Sequence, residues 1–346
     1  MSKGSGGVRI GLDAMGGDLA PMAPVEGAIM AVRGNPALKV TLVGSEAVVR
    51  QHLGEYASHP QIAIHGATEV ISMDDEPVPA VRKKRHSSMV EVVRALQAGT
   101  VDAVVSAGNT GALMASGMLH VGRMQGVERP ALTAVFPSVK SWGVLLLDVG
   151  ANLEPKPSHL VQYALLGSLY CQEVLGIAEP AVGLLNVGVE EGKGPRELRE
   201  AYGRLKELSG IRFVGNIEAR ELLQGRADVV VCGGFVGNVA LKLVEGVARD
   251  IFHEVRGAFG HSWGTRAAGL IMRPHLREFS RKMDYQTTGG APLLGLNGII
   301  YKCHGSSEAR AFAAALDMAY AYLAKDAQAR IRSRLLAATS VVGDES

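Results

Sequence analysis

The chain has 346 residues, of which 47% are apolar and 5% aromatic, with 43 glycines and a formal net charge of +2. So small a charge excludes a global attraction to nucleic acid or to an anionic membrane and leaves such partners only a local patch. The glycine-rich, aromatic-poor mix suits the tight turns of an α/β protein better than a β-sandwich, as one large domain or two of roughly 100–200 residues.

Residues 1–7, MSKGSGG, carry no apolar run and read as a flexible lead-in rather than a signal peptide. VRIGLD (8–13) is the first strand candidate. It runs into GLDAMGGDLAP (11–21), where Asp18 can cap a helix over 21–33. LKVTLVG (38–44) and QIAIHG (61–66) are further strands, followed by a helix over 77–99. VDAVVSAG (101–108) leads to a helix over 109–122, and ALTAVF (131–136) and WGVLLLDVG (142–150) precede one over 157–175. AVGLLNVG (181–188), IRFVGN (211–216) and ADVVVCGG (227–234) alternate with helices over 195–208, 218–225 and 236–259. GIIYKCHG (298–305) and a helix over 306–325 close the alternation, and 331–346 read as a flexible terminus or a terminal helix. No stretch reaches the roughly 18 consecutive apolar residues of a membrane span.

Most of these strands are continuously apolar, which marks burial on both faces and a largely parallel sheet under helices. The βα alternation implies right-handed crossovers. The expectation is a doubly wound α/β/α fold, one large domain over 8–330 with a helical segment protruding at about 250–283. Cys171, Cys232 and Cys303 lie far apart without a CxxC pair. They read as small buried apolar residues of a protein in a reducing, cytoplasmic compartment.

Small and polar residues collect where strands end. Asp13, Gly16, Gly17 and Asp18 follow the first strand, and Asn109, Thr110 and Gly111 follow 101–108. Asp148 and Asn152 follow 142–150, and Asn186, Glu190 and Lys193 follow 181–188. Asn216, Asn238, and His304 with Ser306 and Ser307 complete the set. Each alone is ordinary turn and cap chemistry. Together, at the carboxyl ends where such sheets bind ligands, they read as an anion site: glycines admit close backbone approach and helix N-termini present partial positive charge. The chain has no GxGxxG, no GxxxxGK[ST], no HExxH and no CxxC, so no nucleotide, cofactor or metal is expected. Gly260, Ser262 and Gly264 match GxSxG, but helical sequence precedes them where a nucleophile elbow needs a strand.

Two basic stretches stand apart. Arg82, Lys83, Lys84 and Arg85 fall early in the 77–99 helix, where they oppose its dipole; they suit either a solvated face or the docking of an acidic partner. From Phe259 to Met283, Trp263, Leu270, Ile271 and Met272 interleave with Arg273 and Arg277. That pattern suits an anionic membrane surface, or a hairpin packed on the body or on a second subunit.

"GLDAMGGDLAP", "SAGNTGALMASG", "LLLDVGAN", "GLLNVGVEEGKG", "VGNIEARELL" and "CHGSS" occur in that order. They closely resemble the bacterial phosphate acyltransferases, which make acyl phosphate from acyl-acyl carrier protein and inorganic phosphate for phospholipid synthesis; the resemblance runs from about Val8 to about Leu323. It implies a fold similar to isocitrate and isopropylmalate dehydrogenases and to phosphotransacetylase. It also implies a homodimeric, cytoplasmic protein loosely associated with membrane. The chain departs from the family pattern at Gly233-Gly234-Phe235, where the family usually reads Asp-Gly-Phe, and at Thr287-Thr288 before Gly289 and Gly290.

In such a reaction phosphate itself attacks the thioester, so no side-chain nucleophile is required. The thiol, with a pKa of about 8.5, leaves readily. The protein's part is positioning and charge stabilisation. Lys193 is the expected cation and His304 the expected proton handler. Gly16, Gly17, Asn109, Thr110, Ser306 and Ser307 form the expected phosphate cradle, with Asp13, Asp18 and Asp148 orienting neighbouring donors. A nicotinamide-dependent dehydrogenase and a non-catalytic membrane scaffold are the rival readings.

Overall fold

In chain order the elements are β1 (Val8–Asp13), α1 (Met22–Gly34), β2 (Leu38–Gly44), α2 (Glu46–Leu53), β3 (Ile62–Gly66), α3 (Pro77–Lys83), α4 (Ser88–Gln97) and β4 (Ala103–Ser106). There follow α5 (Thr110–Ser116), β5 (Ala131–Phe136), β6 (Val144–Leu147), α6 (Pro157–Tyr170), β7 (Ala181–Asn186), α7 (Arg196–Glu207), β8 (Arg212–Glu218) and β9 (Val229–Val231). The last are α8 (Gly234–Ala258), α9 (Trp263–Met283), β10 (Ala291–Leu294), β11 (Ile299–Lys302), α10 (Ala309–Ala324) and α11 (Ala327–Gly343). This is a computed structural model, and it describes residues 7–138, 143–259, 263–283 and 290–343. The GxSxG serine, Ser262, and Thr287-Thr288 lie outside the described residues.

The continuous apolar runs fold as the both-faces rule requires. In β6, Leu145 and Leu147 enter one core and Leu146 the other. Val229 and Val231 of β9 likewise face away from Val230, and Ala103 and Val105 of β4 away from Val104. Successive side chains of a strand point to opposite faces, so a strand covered by helices on both sides has no polar position to spare. Each fully buried leucine contributes roughly 1.5–3 kcal/mol. Cys171, Cys232 and Cys303 form no disulfide among the described residues and are buried in these cores.

The eleven strands form one sheet in the order β3-β2-β1-β4-β11-β10-β5-β6-β9-β7-β8. Within β3-β2-β1-β4-β11 every pairing is parallel, and so is every pairing within β6-β9-β7-β8. Between these blocks, β10 is antiparallel to both β11 and β5, and β5 is antiparallel to β6. Three antiparallel steps reverse the direction, so the two parallel blocks end at opposite edges of the sheet. The fold class is α/β with a mostly parallel sheet, as expected. The opposed blocks decide which polar strand ends can meet.

Several expected elements change. The 77–99 helix is broken: Lys84 leaves helical geometry, the Ser87 N–H donates to Lys84, and Ser87 bridges to Glu69 as a parallel strand pair. Arg82 and Lys83 therefore sit in the last turn of α3, where they favour the dipole instead of opposing it. Asp18 does not cap α1, whose N-cap is Pro21 without a side-chain bond; the Asp18 N–H goes to the Gly305 carbonyl at 2.7 Å. The 218–225 helix is a 3-10 turn, and α8 begins at Gly234, within the expected strand 227–234. α2 and β10 were not anticipated by the sequence pattern.

Candidate active site

At the carboxyl ends of β1, β4 and β11, three loops interlock. Asp13 is buried, and its Oδ2 accepts from the Ser106 hydroxyl at 2.7 Å while Oδ1 accepts from the Met15 N–H at 3.1 Å. Ser106 Oγ in turn accepts from the Gly108 N–H at 3.1 Å. Burial raises the Asp13 pKa, and the Ser88, Ser106 and Met15 donors oppose that rise. Gly16 is glycine for want of room: a Cβ there would stand 2.6 Å from Asp13 Oδ2 and 2.7 Å from the Gly108 nitrogen. Gly17 turns at φ +103°, a conformation that favours glycine.

Asn109 caps α5, its Oδ1 accepting from the Ala112 N–H at 3.0 Å. Its amide nitrogen faces three carbonyls, Ser72 at 3.3 Å, Met73 at 3.1 Å and Asp75 at 3.0 Å. Asn109 thus clasps the 72–75 loop. Gly111 packs against Pro77, whose Cγ would lie 2.6 Å from an added Cβ.

Lys302 ends β11 and is 8% exposed. Its ammonium donates to the Ala107 carbonyl at 3.2 Å and to the Cys303 carbonyl. Burial lowers its pKa to about 8, against the opposing pull of Asp13 and Asp18. His304 Nδ1 accepts from the Ser306 N–H at 3.2 Å and lies 2.9 Å from Ser306 Oγ. Because a backbone N–H can only donate, Nδ1 is an acceptor here, and the proton of the neutral ring sits on Nε2. Burial, then Lys302 and Lys242, hold the His304 pKa down.

The far wall comes from the other block. Asp148 is fully buried and accepts from the N–H groups of Leu132 (3.1 Å), Gly150 (3.1 Å), Ala151 (3.0 Å) and Asn152 (2.6 Å). Burial raises its pKa, and these N–H donors work against the rise. Asn152 Nδ2 supports the same loop, donating to the Pro130 carbonyl at 2.7 Å. α8 starts tightly against this loop, since a Cβ on Gly237 would fall 1.9 Å from the Asp148 carbonyl. Asn238 Nδ2 donates to Val149 at 3.1 Å. At Gly233, the N-cap of α8, no side chain caps the helix.

Between the walls lies a cleft of about 370 Å³ over β5. Of the sequence-expected residues, Asp18, Thr110, Asn238, His304 and Ser307 line it. Asp13, Gly16, Gly17, Asn109, Gly111 and Ser306 belong to the loops that build it, and Asp148 and Asn152 hold its far wall. Lys193, Asn186 and Asn216 do not line it. Asn186 Nδ2 donates to the Lys193 carbonyl at 3.0 Å and to Asn216 Oδ1 at 3.2 Å, pinning the loop after β7. The Lys193 side chain is 52% exposed, and its ammonium lies 4.0 Å from Glu190.

The model of the fatty acid synthesis protein family matches residues 8–330. The chain belongs to that family. Similar proteins within it include the phosphate acyltransferase of Brevibacillus brevis, 50% identical over 95% of this chain and 97% of that protein. The phosphate acyltransferase of Bacillus subtilis is 44% identical over 95% of this chain and 98% of its own length. Its membership makes the chain an acyltransferase. Among solved structures, a phosphotransacetylase from Streptococcus pyogenes superposes with a TM-score of 0.61 at 14% identity, covering 92% of this chain and 94% of that one. A branched-chain phosphotransacylase from Enterococcus faecalis gives 0.56 at 13% identity over 91% of this chain and 99% of its own. These likenesses show a shared fold.

Within this acyltransferase the cleft holds three residues that sequence reasoning passed over: Lys302, Lys242 and Glu245. Lys302 looked like strand interior, although a lysine closing an apolar run is itself a signal. Asn238, Leu241, Lys242 and Glu245 recur at i, i+3, i+4 and i+7, one face of α8. Beside the 72–75 loop, whose Met73 lines the cleft, Lys84 is held 2.5 Å from Asp75, which lowers the Asp75 pKa, while Arg82, Lys83 and Arg85 are exposed. Trp263 is 83% exposed on α9. Arg273 is exposed there too, and the Arg277 side chain lies outside the described residues. Among the described residues no group of His, Cys, Asp and Glu could hold a metal, and no helix is long and apolar enough to cross a membrane.

Proposed function

We propose that the chain transfers a long-chain acyl group from acyl-acyl carrier protein to inorganic phosphate, giving acyl phosphate for phospholipid synthesis. The observation that carries this reading is Lys302. A buried ammonium donates to the Ala107 and Cys303 carbonyls, has a third N–H group beyond those two bonds, and belongs to a residue that lines the cleft. It attracts a small anion to a site that Thr110 and Ser307 line with hydroxyls. The charged role goes to Lys302 rather than Lys193, which lies outside the cleft.

With phosphate beside Lys302, one phosphate oxygen attacks the thioester carbonyl carbon. Negative charge develops on the carbonyl oxygen, and the Nε2–H of neutral His304 is a donor for it. The carbon–sulfur bond then breaks. The apolar floor of Leu132, Ala134 and Val135 suits the first carbons of an acyl chain. No step uses a cofactor or a metal.

The partners follow from surfaces. The exposed Arg82, Lys83 and Arg85 flank the loop that Asn109 clasps beside the cleft, and they suit an acidic carrier protein. On α8, Phe235, Val239, Leu243, Val247 and Ile251 recur every four residues and are exposed. They suit a second copy of the chain, giving a homodimer. On α9, exposed Trp263, Leu270 and Ile271 with Arg273 suit an anionic membrane surface, reached peripherally from the cytoplasm.

Phosphorus NMR of the purified protein with acyl-acyl carrier protein and phosphate tests the reading. A new resonance of acyl phosphate that grows with time and needs both substrates is expected. Consumption of thioester without that resonance would overturn it.

A further inference from the structure

We propose that Glu245 of α8 is the catalytic residue that receives the phosphate proton and returns it to the departing thiol. The inference rests on the acyltransferase reading above. It starts from a vacancy in that chemistry: His304 Nδ1 is occupied by the Ser306 N–H at 3.2 Å, and Nε2 already bears the ring proton. In this geometry His304 donates and cannot accept, so the proton handler expected at His304 lies elsewhere.

Glu245 fits the task by position. It lines the cleft, its side chain is 17% exposed, and its Oε2 stands 3.7 Å from His304 Nε2. Its Oε1 is buried with no hydrogen-bond partner among the described residues. A buried carboxylate oxygen left unpartnered in a cleft is costly unless something binds there. Lys242 and Arg249 on its own helix are the charged groups that face it, and the titratable group across the cleft is the neutral His304. His304 in turn faces Lys302, Lys242 and Asp18. Burial raises the Glu245 pKa above the usual carboxylate value, against the opposing pull of Lys242 and Arg249, which is the direction that makes a carboxylate a better proton acceptor.

The step balances. Hydrogen phosphate dianion forms a C–O bond to the carbonyl carbon, the C–S bond breaks, and sulfur leaves with the electron pair. The proton on phosphate passes to Glu245 and from there to the thiolate. Acyl phosphate dianion and free thiol emerge, and the carboxylate is restored. Lys242 and Lys302, both in the cleft, offset the meeting of carboxylate and phosphate.

The test compares wild type with Glu245→Gln and Glu245→Asp by acyl phosphate formation across pH, with thermal melts as a folding control. Glu245→Gln is expected to lose about 100- to 10,000-fold in kcat, with KM for phosphate nearly unchanged and the acid limb of the kcat profile gone. Glu245→Asp is expected to keep that limb at reduced kcat. A Gln variant within threefold of wild-type kcat, or one that retains the acid limb, would overturn the proposal. Should the Gln variant fail to fold, wild-type kcat in the Asp variant would overturn it equally. Wild-type protein that makes no acyl phosphate would instead overturn the acyltransferase reading itself, and this role with it.

Discussion

The Lys302 ammonium donates to the Ala107 carbonyl at 3.2 Å, tying the last residue of β11 to the loop that leaves β4. The two segments are 195 residues apart in sequence. The bond holds a positive charge at the cleft between strands that only the sheet order makes neighbours. Replacing the charge should therefore separate binding from folding. Lys302→Met is expected to lower kcat/KM at least 100-fold, chiefly by raising KM for phosphate. Its stability cost is about 1–3 kcal/mol, from loss of the buried hydrogen bonds to the Ala107 and Cys303 carbonyls. Lys193→Ala is expected to stay within threefold of wild type. Initial rates and urea melts on the pair check both statements, and the reverse ranking would restore Lys193 as the cation.

Activity and stability should respond oppositely to alkali at Lys302. Its pKa falls from the usual 10.5 to about 8, so the cation that phosphate needs is lost as pH rises through about 8. In the unfolded chain the same amine stays protonated to about 10.5, so between these values the unfolded state binds more protons. This residue's contribution to stability therefore rises with pH across that window, by on the order of 3 kcal/mol. A kcat/KM profile that falls above about pH 8 in wild type is the measurement. A profile flat to pH 10 would contradict the assignment.

Close packing of backbone gives a third expectation. Gly237→Ala would set its Cβ 1.9 Å from the Asp148 carbonyl, where backbone must move. Gly16→Ala would meet Asp13 Oδ2 at 2.6 Å and the Gly108 nitrogen at 2.7 Å. Both are expected to destabilise by about 1–3 kcal/mol, the Gly237 variant more, with activity reduced in each because each loop shapes the cleft. Urea unfolding midpoints and kcat report the two effects separately.

The exposed stripe of α8 is tested by charge. Leu243→Glu is expected to convert a dimer to monomer in sedimentation velocity, while Trp263→Ala with Arg273→Glu is expected to weaken binding to anionic vesicles at unchanged kcat on soluble substrate. A dimer that survives Leu243→Glu would place the second copy elsewhere.

What was legible in the chain follows from how local each signal is. β6 and β9 were readable because burial on both faces leaves an unbroken apolar run. β10 was not: Ala291-Pro292-Leu293-Leu294 is four residues with a proline, and only its antiparallel pairing to β11 and β5 makes it a strand. The break at Lys84 was hidden because no glycine or proline marks it; the pairing of Ser87 with Glu69 imposes it. Asp13, Asp18, Thr110, His304 and Ser307 were readable as polar strand ends. That they meet, while Lys193 and Asn216 stand apart, depends on the opposed strand blocks, which no window of sequence contains. Glu245 was visible only as a helix face whose partner, His304, is on another element.

The most direct measurement is hydroxylamine trapping of product from acyl-acyl carrier protein, with and without inorganic phosphate, using wild type beside Lys302→Met. The expected result is acyl hydroxamate that forms only with phosphate and falls at least 100-fold in the variant. Hydroxamate independent of phosphate, or equal rates in the two proteins, would contradict a phosphate-accepting cleft centred on Lys302.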